Sequence, residues 1–173
     1  ADIKNKLPRS FVWCILEYRT GGVIVDVYGD LNRILVSLFN DLIDIEEKAL
    51  IVDEFKDISI NDMHIIEAIG TGEPKNMSTV AKAIDVTVGT LTIGINGLVK
   101  KGYVIRERGT ADRRVVYISL TDKGLRAYRH HEQFHKNMAL SIMDRLDEDE
   151  AVVLVRSLNK MTDYFNNLKV HDK

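Results

Sequence analysis

Apolar residues recur in this chain as two long stripes flanking a compact cluster. From Leu31, the positions Leu31, Leu35, Leu38, Leu42, Ile45, Ala49 and Val52 step alternately by four and three residues, a heptad seam on one long helix. A second seam, Ala151, Leu154, Leu158, Met161, Phe165 and Leu168, follows an Asp147-x-x-Glu150 capping pattern. Each helix is too long to bury its stripe on the short segment between them. The economical solution is a two-fold homodimer in which the terminal helices interdigitate; packing within one chain is the alternative.

The central cluster has shorter periods. Ser59 with Asp62 starts a helix through Met63, Ile66 and Ile69 that stops at Gly70, and Gly70 to Lys75 read as a loop. Ser78 is the expected N-cap of a short helix carrying Val80, Ala81 and Ile84. Asp85 and Val86 make a tight turn, Asp being one of the few residues that tolerates the left-handed conformation. Thr87 then caps a second helix with Leu91, Ile95 and Leu98 facing inward, which Gly102 ends. Two short helices joined this way are a helix-turn-helix.

At about 100° per residue, the face opposite Leu91 holds Gly89, Ile93, Asn96 and Lys100, with Thr90 and Thr92 beside it. An isoleucine at the centre of an exposed face makes sense if that face enters a major groove. There Ile and Thr methyls meet thymine methyls, and hydroxyls and Asn bond base edges or phosphates. Three glycines inside this helix, Gly89, Gly94 and Gly97, cost about 0.8–1 kcal/mol each, so a close approach to DNA or to a neighbouring helix is expected to offset them.

Two strand-like runs follow, Tyr103–Arg106 and Val115–Leu120, around a polar tip. Between Lys100 and Arg114 stand Lys100, Lys101, Arg106, Arg108, Arg113 and Arg114 against Glu107 and Asp112, a local balance of +4 in a chain of net charge −2. Basic charge set against the overall sign, beside an exposed helix face, suits binding to a nucleic-acid backbone and minor groove. A solvated charged turn is the plainer alternative. From Asp41 to Asp62 the balance is −6, read by default as a solvated face.

Composition narrows the class. At 173 residues, 45% hydrophobic and 29% charged, this is an ordinary globular chain whose longest apolar run, Phe11–Leu16, is too short to span a bilayer, so no membrane partner is expected. The single Cys14 cannot form an intrachain disulfide and fits a reducing, cytoplasmic setting. A nucleophile elbow, a metalloprotease helix and a phosphate loop are all missing from the sequence, which argues against an enzyme.

The order of helix-turn-helix, glycine stop, hairpin tipped by Asp112-Arg113-Arg114, and return strand ending Leu120-Thr121-Asp122-Lys123-Gly124 resembles the MarR family of bacterial winged helix-turn-helix repressors. Within it, GTLTIGINGLVKKGYV, DRRVVYISLTDKG and RHHEQFHKNM look most like the branch that represses fatty-acid synthesis in Gram-positive cocci. The implied fold is mainly α with a small β-hairpin wing, dimeric through its N- and C-terminal helices. It divides the chain into an N-terminal extension (1–27), a dimerisation helix (28–57), a winged helix-turn-helix (58–121) and C-terminal dimerisation helices (122–173). The extension has no family counterpart. It reads either as coding sequence upstream of a start at Val25 or as a capping strand or arm.

By the same resemblance, Arg114 is the minor-groove arginine, Asp112 its orienting partner, and Thr87 to Ile93 the groove-entering end. Many relatives carry Arg where this chain has Ile93, so a thymine-rich half-site is expected. The DNA-contacting set is then Ser78, Thr87, Gly89, Thr90, Thr92, Ile93, Asn96, Lys100, Arg106, Arg108, Asp112, Arg113 and Arg114. The branch implies a long acyl chain on acyl carrier protein as co-repressor, which Lys123, Arg126, Arg129 and Lys136 would meet unless they are plain surface charges. No resident cofactor is expected. The helix after Thr121 carries Leu125, Tyr128, His131, His135, Met138 and Ile142 on one stripe. Its two histidines are read first as core residues satisfied by hydrogen bonds. Zinc-sensing relatives pair such histidines with carboxylates of the first helix, which makes Glu46 and Glu47, with His64, nominal ligands in the alternative of a regulator responding to zinc or to a phenolic ligand.

Overall fold

The computed structural model describes residues 17–20, 23–50, 54–109, 112 and 114–171, which fall into two compact units on either side of residue 51. The first unit holds an antiparallel hairpin, β1 (Glu17–Thr20) and β2 (Val23–Asp26), and the helix α1 (Val27–Leu50). The Asp26 carboxylate accepts the Gly29 N–H at 2.9 Å, so the hairpin ends in the residue that caps α1. Within the expected extension (1–27), residues 17–20 and 23–26 are strand, residues 1–16 and 21–22 lie outside the described residues, and the helix begins one residue before Tyr28. Leu31, Leu38 and Ile45 of the seam are exposed along α1, while Val52, its last position, lies outside the described residues.

The second unit contains the segment expected to read DNA (the reader), α2 (Ile60–Ile69), β3 (Lys75–Asn76), α3 (Met77–Ala83), α4 (Val88–Lys100), β4 (Val104–Arg108) and β5 (Val116–Leu120), followed by α5 (Asp122–Met143) and α6 (Glu148–His171). Ser59 and Asp62 form the expected reciprocal cap of α2. Its Met63, Ile66 and Ile69 are buried with Val80 and Ala81 of α3 and with Leu91, Ile95 and Leu98 of α4. Asp85 sits at φ +54° in the turn between α3 and α4, and the chain bends by 104° from one helix to the other, within the range of helix-turn-helix motifs.

Several expectations need correction. The α3 cap is Asn76, whose Oδ1 accepts the Thr79 N–H at 2.8 Å; Ser78 is already inside the helix, exposed on its first turn. Asn76 reaches that position because Lys75 and Asn76 are not plain loop but a short third strand, pairing with Ile118 and Tyr117 of β5. The wing strand β4 runs two residues beyond Arg106, to Arg108 opposite Val116, whereas Tyr103 precedes it as a fully buried plug. On α5 the inward face runs through Gly124, Ala127 and His131, one step round from the expected Leu125 and Tyr128, which are half-buried. Gly124 explains the rotation: a Cβ there would lie 2.2 Å from the Tyr103 carbonyl oxygen, so only glycine lets α5 start this close to the reader.

The acidic run is also less solvated than expected at its far end. Asp62 pairs with Lys101 at 2.8 Å, Asp57 with Lys123 at 3.3 Å, and Glu54 with Arg126 at 2.6 Å. Asp57 further accepts the Tyr103 hydroxyl at 2.5 Å, and the Lys123 ammonium lies 4.0 Å from the centre of the Tyr103 ring. Burial, then Asp57, pushes the Tyr103 hydroxyl well above the usual tyrosine range; the Tyr103 hydrogen bond, then Lys123, holds Asp57 below the usual carboxylate range. This cluster ties the turn before α2, the end of α4 and the start of α5 together beneath the wing. Asp147 and Glu150 cap α6 reciprocally, as expected.

Candidate nucleic-acid interface

The cap of α4 sets its chemistry. Thr87 Oγ1 accepts the Thr90 N–H at 3.1 Å and lies 2.9 Å from Thr90 Oγ1. One of these two hydroxyls donates to the other, so the pair keeps a single hydroxyl proton for a phosphate. Thr92 donates its hydroxyl to the Val88 carbonyl at 2.7 Å, which spends its proton within the helix. The expectation that hydroxyls here bond base edges or phosphates is thus narrowed at Thr92, which presents a methyl group and oxygen lone pairs.

Ile93, one turn along, is 76% exposed. Asn96 and Lys100 continue its face toward the helix C-terminus, both exposed, and Gly89 flanks it at the N-terminal end. The three glycines divide by role. A Cβ at Gly94 would meet Ile65 Cδ1 at 2.5 Å, so Gly94 serves the packing of α4 on α2. A Cβ at Gly97 would meet nothing within 4 Å and one at Gly89 only Thr87 Oγ1 at 3.6 Å, so no described residue requires glycine at either place.

The wing stands beside this face. Arg106 and Arg108 are exposed on β4, and Arg106 Nη1 donates to Asn96 Oδ1 at 3.1 Å, joining wing to helix. At the tip, Asp112 accepts from the Arg114 backbone N–H at 2.9 Å and from its Nε and Nη2, each at 3.1 Å. The guanidinium fork is held in one direction while the Arg114 side chain stays 91% exposed, and these bonds hold Asp112 below the ordinary carboxylate range. Arg113 lies outside the described residues.

The other singled-out residues are placed apart from this face. Lys123 and Arg126 are engaged with Asp57 and Glu54, whereas Arg129 and Lys136 are exposed further along α5. His131 is 1% exposed, with Nδ1 2.7 Å from Glu67 Oε1 on α2, and its ring meets His135 edge-on with centroids 4.4 Å apart. That is the hydrogen-bonded core histidine expected first. Glu67, half-buried on α2, was not foreseen, since a single acidic residue on an apolar helix carries no signal of its partner. Glu46 and Glu47 lie on α1, and His64 on α2. Among the described residues, no single helix is long and apolar enough to cross a membrane.

Known proteins share this fold. Residues 48–130 match the family model described as transcriptional regulator SarA/Rot. The chain is 41% identical to Streptococcus pneumoniae FabT, solved in complex with DNA, with a TM-score of 0.78 over 82% of this chain and 99% of that one. A MarR family transcription regulator, only 11% identical, shares the fold at a TM-score of 0.70 over 83% of this chain and 93% of its own. The HTH-type transcriptional regulator PchR of Bacillus subtilis is 26% identical over 107 residues, 60% of this chain but only 63% of that protein. With these likenesses and a reader of this geometry, the chain belongs to the MarR family of winged helix-turn-helix, DNA-binding transcriptional regulators.

Proposed function

We propose that this regulator is a repressor that binds A/T-rich palindromic operators as a homodimer, acts on fatty-acid biosynthesis genes, and takes a long acyl chain on acyl carrier protein as co-repressor. The observation that carries the DNA reading is the pairing of an exposed Ile93 on α4 with an Arg114 fork pre-set by Asp112 on the wing. Methyl groups dominate the helix face, which favours thymine in the major groove; the wing arginine suits the narrow, negative minor groove of A/T-rich DNA. Exposed apolar residues along α1 and α6 support pairing with a second copy, which sets two readers about 34 Å apart for successive major grooves.

The fatty-acid assignment rests on the branch motifs and on the 41% identity to FabT. For the acidic carrier protein, Arg129 and Lys136 are the better placed of the four basic residues, because Lys123 and Arg126 already hold carboxylates. Selection from a random DNA pool is expected to return an A/T-rich inverted repeat, and G·C-rich sites would overturn the reading. On that operator, Arg114→Ala should lower affinity about tenfold or more and flatten the salt dependence by roughly one unit per wing. Titrating long-chain acyl carrier protein into the complex should tighten it; unchanged or weaker binding removes the co-repressor.

A further inference from the structure

The contact between Arg106 and Asn96 fixes more than the wing. A guanidinium can only donate, so the Asn96 atom facing it at 3.1 Å must be the amide oxygen, whichever way the amide is drawn. The Asn96 NH2 group then points away from the wing, and no other described residue takes it up. Asn96 follows Ile93 by three residues on the same exposed face of α4, so its free donor belongs to the face that DNA would approach.

We propose that Arg106 is a positioning residue for sequence reading: by holding the Asn96 oxygen, it presents the Asn96 amide as a donor, so that Asn96 reads a base-edge acceptor. This deepens the DNA-reading role above and rests on it. In the major groove, thymine O4, guanine O6 and N7 and adenine N7 accept, whereas cytosine N4 and adenine N6 donate. With Ile93 alongside to meet a methyl group, thymine is the base that satisfies both side chains at once. An unrestrained asparagine could turn its oxygen to the groove and accept from an amino group; the Arg106 bond removes that freedom.

The test uses the full chain, the operator returned by selection, and a panel of operators altered at one base pair each, titrated at several salt concentrations. Asn96→Asp keeps an oxygen for Arg106 but has no N–H to offer. It should lose about tenfold or more in operator affinity and shift its preference at one base pair toward cytosine or adenine. Arg106→Met should lose discrimination at that same base pair while keeping the slope of log affinity against log salt. Both side chains are exposed, and thermal melting of each variant confirms that the reader is folded. The proposal is overturned if Asn96→Asp retains the wild-type base preference. It is equally overturned if Arg106→Met weakens all operators alike and shallows the salt slope by about 0.9, the behaviour of a phosphate contact. A wild-type protein without base preference anywhere would instead defeat the DNA-reading role itself.

Discussion

Leu91, Ile95 and Leu98 of α4 are at most 1% exposed, whereas Leu158, Phe165 and Leu168 of α6 are 41–47% exposed. Both sets are apolar positions on amphipathic helices, yet the reader satisfies its own within the chain and α6, like α1, does not. At about 25 cal/mol per Å² of apolar surface removed from water, an unsatisfied stripe of this length is a strong drive to associate. The contrast separates what makes the reader fold from what drives the proposed pairing with a second copy.

The largest effect should come from spoiling the open stripe. Leu158→Lys places two charges in a paired seam, and sedimentation is expected to show half the mass, with operator affinity down by about a hundredfold or more as the second half-site is lost. A monomer mass for the unaltered chain would break the comparison outright. Within the closed region, Tyr103→Ala opens the core beneath the wing and should cost about 3–5 kcal/mol in denaturant unfolding, with the state of association unchanged in whatever remains folded. Smaller again is the cap of α3: Asn76→Ala should cost about 1 kcal/mol, and Ser78→Ala within about 0.5 kcal/mol, because only the former accepts the Thr79 N–H.

Least of all is the acid limb. Asp57 is held below its ordinary value of 3.8, first by the Tyr103 hydroxyl and then by Lys123, so the folded chain binds this proton less readily than the unfolded one. Its contribution is complete above the unfolded value and lost as pH falls through the lowered one. Asp57 is nearly half exposed, so this amounts to less than about 1 kcal/mol, and Asp57→Asn should make the fall in melting temperature below about pH 4 shallower without steepening it elsewhere.

Legibility followed the range of the interactions. The caps at Thr87 and Ser59, the left-handed Asp85, the inward face of α4 and the exposed Ile93 could all be read because each depends on neighbours within one turn of helix. The third strand was missed because Lys75 and Asn76 are two polar residues whose only reason to extend is β5, some forty residues away. Ser78 reads as the cap from the sequence because it is a good capping residue; only the strand pairing of Lys75 and Asn76 moves the start of the helix to Asn76. The pairs Asp62 with Lys101, Asp57 with Tyr103 and Glu67 with His131 join residues far apart in sequence, and residue type alone names no partner. The Arg106 bond to Asn96 spans only ten residues but turns on the angle at which β4 leaves α4 after Gly102.

The bare backbone at Gly94, pressed on by Ile65, bears on how such a protein can be switched. Two helices in contact this close have no slack for one to slip along the other, since interiors packed to this density move between discrete arrangements rather than creeping. Any signal arriving at the groove-facing surface must therefore tilt α2 and α4 together, as a single plate. For the proposed effector, the packing at Gly94 favours setting the angle of that plate over retracting the isoleucine.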